Sequence, residues 1–122
     1  MGTILVIDDD EMLLEMLRAY LSDSGYRVVA TADGPQGIEL YKIDHPDVVL
    51  LDIGLPSMSG IEVLKEIRRY DIDAKVIVIT GYGSVKAAAL ALHHGAVDYY
   101  DKLDKANVLL EKIERLFRNR SG

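Results

Sequence analysis

The sequence predicts an α/β fold: a single doubly wound (βα)5 domain, with a five-stranded parallel sheet and helices on both faces. Three observations carry this expectation. Short apolar runs alternate with longer amphipathic ones along the whole chain. The runs Ile4-Leu5-Val6-Ile7 and Val48-Val49-Leu50-Leu51 are unbroken, as in strands buried on both faces rather than one. The connections between runs are short, as right-handed crossovers in a parallel sheet require. At 122 residues the chain has room for one domain, 1–122, with a core large enough to need no cross-links.

Strands are expected at 3–7, 27–30, 47–51, 75–79 and 97–100. The first helix, 10–21, places Leu14, Leu17 and Leu21 on one apolar face and stops at Ser24-Gly25, where glycine supplies a left-handed cap. Asp33-Gly34-Pro35 opens the second, an N-cap followed by proline in the first turn. That helix continues through Ile38 to about residue 43, and its interior Gly37 costs about 1 kcal/mol against alanine. Ser59 and Glu62 form a capping box for the third helix, with Ile61, Leu64 and Ile67 at core spacing. The fourth helix runs from Ser84 to His94 and stops at Gly95; its two histidines are dipole-favoured or solvated rather than metal ligands. The fifth covers 105–117, with Leu109, Ile113 and Leu116 facing inward.

Composition narrows the function. The net charge of −6 and pI near 4.9 argue against direct nucleic-acid binding, and Arg115, Arg118 and Arg120 are an ordinary last-turn cluster. There is no cysteine, which removes disulfides and thiolate metal sites and fits a reducing cytoplasm. No apolar run approaches the ~20 residues of a membrane span and no signal sequence opens the chain, so no membrane association is expected.

The chemistry gathers at the carboxyl ends of the strands, where an open parallel sheet binds its ligand. The first strand runs into Asp8-Asp9-Asp10, the third into Asp52, the fourth into Thr80, and Lys102 follows the fifth. Two carboxylates about 4 Å apart repel by about 4 kcal/mol at an effective dielectric near 20, a cost that a bound cation removes. A donor set of oxygens without histidine or cysteine suits Mg2+ or Mn2+. Asp52 can act as a nucleophile toward phosphorus, with Thr80 and Lys102 neutralising the charge on the transferred group. Singly, each residue has a plainer reading: N-cap, turn residue, strand end, solvated lysine. Their joint placement on one sheet edge favours the chemical one.

These segments resemble the receiver domains of bacterial two-component response regulators, whose fold is flavodoxin-like and shared with the chemotaxis regulators. The resemblance rests on residues 4–10, on Val49–Pro56 with Ser59-Gly60, on Val78–Ser84, and on Gly95–Tyr99 before Lys102. It implies the strand order 2-1-3-4-5. It also implies roles: Asp52 as phosphoacceptor, and Asp9 as direct metal ligand with Asp8 acting mainly through water. The Gly54 backbone carbonyl would join the metal, Thr80 and Lys102 would bind the phosphoryl group, and Tyr99 would be an aromatic switch. Asp10 has no such counterpart and reads as a helix cap. Tyr99 and Tyr100 alternate faces, one to the core and one outward.

Further implications are a sensor histidine kinase or phosphotransfer protein as donor, and a signal read on the surface of the fourth helix, fifth strand and fifth helix. That surface would engage an output domain, a partner or, on phosphorylation, a second copy. Residues 80–84 resemble receivers attached to σ54-type transcriptional activators, so transcription regulation is the expected output. The chain is read as a stand-alone receiver or the amino-terminal part of a longer regulator, and not as an enzyme. Gly54 and Tyr82 occupy positions that tune phosphoryl lifetime, and Tyr82 is expected to prolong it.

One segment departs from the family pattern. Proline and then an aromatic residue normally follow the lysine, whereas here Lys102 precedes Leu103-Asp104-Lys105. Either leucine replaces proline or one residue is missing and Leu103 stands for the aromatic. A trans Lys102–Leu103 bond, a reshaped loop and a Lys102 that still reaches the acidic edge are expected. Three rivals follow: a degenerate receiver acting as a phosphorylation-independent interaction module, a Mg2+-dependent small-molecule phosphohydrolase or phosphotransferase, and a flavin carrier. Three negative charges after the first strand disfavour the last.

Overall fold

The computed structural model describes residues 2–55, 58–81 and 85–119. The expectations attached to Pro56, Tyr82 and Ser84 lie outside them. Five strands, β1 (Thr3–Ile7), β2 (Arg27–Thr31), β3 (Val48–Asp52), β4 (Val76–Thr80) and β5 (Asp98–Asp101), form one parallel sheet in the order β2-β1-β3-β4-β5. The helices between and after them are α1 (Glu11–Asp23), α2 (Gly34–Asp44), α3 (Gly60–Tyr70), α4 (Val85–His93) and α5 (Ala106–Asn119). The sequence-predicted order is the observed one.

Every residue of β3 and β4 is buried, which explains their unbroken apolar runs. Alternate residues serve two cores. Leu5, Ile7, Val49, Leu51, Val76 and Val78 pack against α2, α3 and α4 on one face. Ile4, Val6, Leu50, Ile77, Ile79 and Tyr100 meet Leu17 and Leu21 of α1 and Leu109 and Ile113 of α5 on the other.

Strands β2 to β5 end one residue later than expected, and β3 to β5 also start one later. The reason is pairing across the sheet. Asp52 stands opposite Ile79 and Thr80 opposite Asp101, so the ladder continues past the apolar runs into the polar residues. Asp52 and Thr80 therefore belong to strands, not to the loops after them.

The caps agree in kind. Asp10 accepts the Met12 and Leu13 amides at 3.1 and 3.2 Å, and Asp33 accepts the Gln36 amide at 2.8 Å. Ser59 accepts the Glu62 amide at 3.3 Å, while the Glu62 carboxylate lies 3.8 Å from the Lys65 ammonium. Gly25 and Gly95 sit at φ +97° and +100°, the left-handed conformation in which glycine has no steric penalty. Leu14, Ile61 and Leu116 face inward as expected and pack against the two cores, though each is only partly buried, and beside Ile61 it is Val63 that is fully buried. Among the described residues no peptide bond is cis, and no helix is long and apolar enough to cross a membrane.

Candidate functional site

The β1 edge delivers Asp8 to the site. Its amide donates to the Thr31 carbonyl at 3.1 Å, extending the β1–β2 ladder by one rung, and its Oδ1 accepts the Asp10 amide at 2.9 Å. Its other oxygen, Oδ2, is buried without a hydrogen-bond partner. Burial pushes the Asp8 carboxyl up to about 6; Asp52 adds to the rise, while the Asp10 amide and Lys102 oppose it. Asp9 is exposed beside it, and Asp52 is buried at the end of β3 with its Oδ1 accepting the Gly54 amide at 2.9 Å. One oxygen each from Asp8, Asp9 and Asp52 lies within 4.8 Å of the others.

Lys102 reaches this cluster. Its Nζ is 3.5 Å from Asp8 Oδ2 and 3.6 Å from Asp52 Oδ2. Burial acts to lower the pKa of that ammonium, but the charges of Asp8 and Asp52 outweigh it, and the net shift is upward. Lys102 is therefore cationic across the working pH range. An open groove of about 510 Å3 passes Asp9, Asp52, Gly54 and Lys102 and continues to Ile61 and Leu90, leaving Asp52 accessible from one side.

Thr80 and Tyr99 stand at a second, neighbouring space. Thr80 is buried, and its hydroxyl points to the Tyr100 carbonyl at 3.5 Å, the weak end of the hydrogen-bond range. A cavity of about 250 Å3 lies between α4 and β5, lined by Thr80, Val85, Ala88, Leu92, Tyr99 and Asp101. Tyr99 is 44% exposed at the rim of this cavity, with the Lys112 ammonium 5.6 Å from its ring centroid and 3.1 Å from Asp98 Oδ1. Tyr100 faces the opposite way into the core, so the expected alternation holds.

Among the described residues, the sequence-predicted Asp8, Asp9, Asp52, Gly54, Thr80, Tyr99 and Lys102 thus lie on one sheet edge, with Asp10 capping α1. Sequence reasoning missed Lys112 and Asp101. Lys112 meets Tyr99 from a helix turn distant in sequence, and no local pattern marks it. Asp101 did have a signal: Asp-Lys-Leu-Asp directly after a strand is turn chemistry.

Comparison with known proteins agrees with this geometry. The family model described as "Response regulator receiver domain" matches residues 4–114. The chain is 36% identical over 116 residues to the regulatory protein AtoC of Escherichia coli (strain K12), covering 93% of this chain and 25% of that protein. It is 37% identical over 115 residues to the response regulator MprA of Mycolicibacterium vanbaalenii, covering 94% of this chain and 50% of that protein. The chain therefore spans a quarter to a half of these relatives. The crystal structure of a CheY-like response regulator receiver domain protein from Methanospirillum hungatei JF-1 superposes with a TM-score of 0.91 at 32% identity, covering 100% and 99% of the two chains.

Proposed function

The chain belongs to the response regulator receiver domain family, and on that premise we propose that it is a phosphorylation switch whose acceptor is Asp52. The observation that carries this reading is the Lys102 ammonium held 3.6 Å from the Asp52 carboxylate at the open groove. A carboxylate oxygen of Asp52 attacks phosphorus on a phosphohistidine or a small phosphodonor. As the new O–P bond forms, the donor's N–P or O–P bond breaks, and its electron pair leaves with the donor. Lys102 neutralises the oxygens of the transferred group, and the weakly bonded Thr80 hydroxyl is free to turn toward them.

The acidic cluster fits Mg2+, or Mn2+, because it offers three carboxylates, and a buried Asp8 oxygen that no hydrogen bond satisfies and that the Lys102 ammonium approaches at 3.5 Å. Asp8, Asp9, Asp52 and the Gly54 carbonyl would hold the ion, which supplies positive charge where the phosphoryl oxygens gather. Without it, Asp8, Asp9 and Asp52 repel an incoming phosphate.

Once Thr80 turns, the space beside it receives the Tyr99 ring, and the α4-β5-α5 surface changes shape. A difference of a few kcal/mol between the two states is enough to move the population. A sensor histidine kinase or phosphotransfer protein is the donor in this reading. An output domain, a partner or a second copy reads the surface, transcription regulation is the output, and the setting is cytoplasmic. The chain is a switch rather than an enzyme acting on small molecules.

Incubation with acetyl phosphate and Mg2+ followed by intact-mass measurement tests the assignment. One added phosphoryl group in the wild type and none in Asp52→Ala is expected. Equal uptake by Asp52→Ala would overturn it.

A further inference from the structure

We propose that Asp101 is a positioning residue for Lys102, its carboxylate folding the β5–α5 connection into the turn that aims the lysine ammonium at Asp8 and Asp52. The proposal rests on reading Asp52 as the phosphoryl acceptor.

The last rung of the sheet is the Lys102 amide donating to the Thr80 carbonyl at 2.8 Å. From there the backbone must reverse at once to enter α5 at Ala106. Asp101 makes both bonds that close this reversal. Its Oδ1 accepts the Leu103 amide at 2.9 Å, and its backbone carbonyl accepts the Asp104 amide at 2.9 Å. Asp101 is thus the first residue of a β-turn, with Lys102 and Leu103 at the corners, and its side chain adds an Asx turn inside it.

Packing does little to hold the turn, because the Leu103 side chain is 72% exposed. A further tie comes from Tyr100, whose hydroxyl donates to the Asp104 carbonyl at 2.6 Å. Burial, then Asp104 and Asp101, push that phenol's pKa up, so it keeps its proton and stays a donor.

Asp101 and the charge it serves face different spaces. Asp101 lines the cavity beside Thr80 and Tyr99, whereas Lys102 lines the groove at Asp52 and reaches Asp8. The carboxylate therefore shapes the backbone without drawing the ammonium away. A lysine stem is flexible, so fixing its backbone limits where the charge can go.

The experiment compares wild type, Asp101→Ala, Asp101→Asn and Lys102→Ala, each alone, and the Asp101→Ala/Lys102→Ala double variant. Two readouts are taken: phosphoryl uptake from acetyl phosphate with Mg2+, and the rate of reductive methylation of the Lys102 amine by mass spectrometry. Asp101→Ala should take up phosphoryl roughly 10- to 100-fold more slowly, the range for a misplaced catalytic group, with Lys102 methylated faster. Asp101→Asn keeps the acceptor oxygen and should stay within about threefold of wild type. In the Lys102→Ala background, Asp101→Ala should add nothing, because the partner it positions is gone.

Wild-type uptake and labelling in Asp101→Ala would overturn the proposal. So would equal damage from Asp101→Asn, or an undiminished further loss in the Lys102→Ala background. If no protein in the set, wild type included, gains phosphoryl, the Asp52 reading fails; Lys102 labelling then decides the positioning claim, and unchanged labelling in Asp101→Ala overturns it.

Discussion

Burying Asp8 beside Asp52 costs the fold stability whenever the Asp8 carboxylate is ionised. Its pKa lies near 6 in the folded chain against 3.8 for an ordinary aspartate, so the folded state holds the proton over that interval. The contribution of Asp8 is therefore fully present below about pH 4 and is lost as pH rises through 6. At roughly 1.4 kcal/mol per pKa unit, the loss at pH 8 is on the order of a few kcal/mol. Without metal, Asp8→Asn should be more stable than wild type at pH 8 by up to that amount, the gain fading between pH 6 and 4; urea midpoints across pH check this. Saturating Mg2+ should stabilise the wild type more than Asp8→Asn, and Mg2+ affinity of the wild type should weaken below pH 6 as protons compete. At this scale the sequence was legible wherever chemistry repeats across strand ends, as with Asp8, Asp9, Asp52, Thr80 and Lys102. Asp101 was not singled out, because its work is a local turn bond that an Asp-x-x-Asp segment permits but does not require.

Two glycines mark where elements approach one another. Propensity alone makes Gly37 a defect of α2, but a Cβ there would fall 2.8 Å from Ile7 Cγ1 and closer still to Cδ1. Ile7 is fully buried in β1, so the absent side chain lets the helix sit against the sheet. Gly37→Ala should therefore lower stability, by about 1–3 kcal/mol rather than raise it by ~1, as overpacking of a core does; chemical denaturation gives the sign directly. Gly60 meets backbone instead. A Cβ there would come within 2.9 Å of the Ile53 amide nitrogen and closer to Ile53 Cα and the Asp52 carbonyl oxygen. Backbone cannot swing aside as the end of an isoleucine can, so Gly60→Ala must shift the end of β3 and the start of the β3–α3 connection, where Asp52 and Gly54 sit. Its Mg2+ affinity should fall even where the fold survives, whereas Gly37→Ala should leave metal binding near wild type; calorimetric titration separates the two. Elements were legible in sequence because periodicity and caps are local. Their last residues were not, because the Asp52–Ile79 and Thr80–Asp101 pairings come from neighbouring strands.

Alternating elements define a parallel sheet but leave its strand order open, so β2-β1-β3-β4-β5 was legible only through resemblance, and the observed order agrees. That order matters because it puts β5 at one edge, with α4 and α5 on opposite faces beside it and Tyr99 between the cavity and solvent. The outward ring is held from the α5 side: Lys112 of α5 lies over its face and ties to Asp98, while α4 leaves about 250 Å3 open behind it. A partly exposed cation–π contact contributes about 0.5–1 kcal/mol. Removing it biases the ring toward the cavity by that amount, roughly a two- to fivefold change in the population ratio. Lys112→Met keeps the aliphatic stem and deletes only the charge, so unphosphorylated Lys112→Met should show more inward Tyr99, read from the ring chemical shifts and the loss of its solvent contact. Phosphorylation should then change those shifts less than in the wild type, because part of the transition has already occurred. Identical Tyr99 shifts in the two proteins before phosphorylation would show that α5 has no hold on the ring, leaving the cavity beside α4 as the sole determinant of its position.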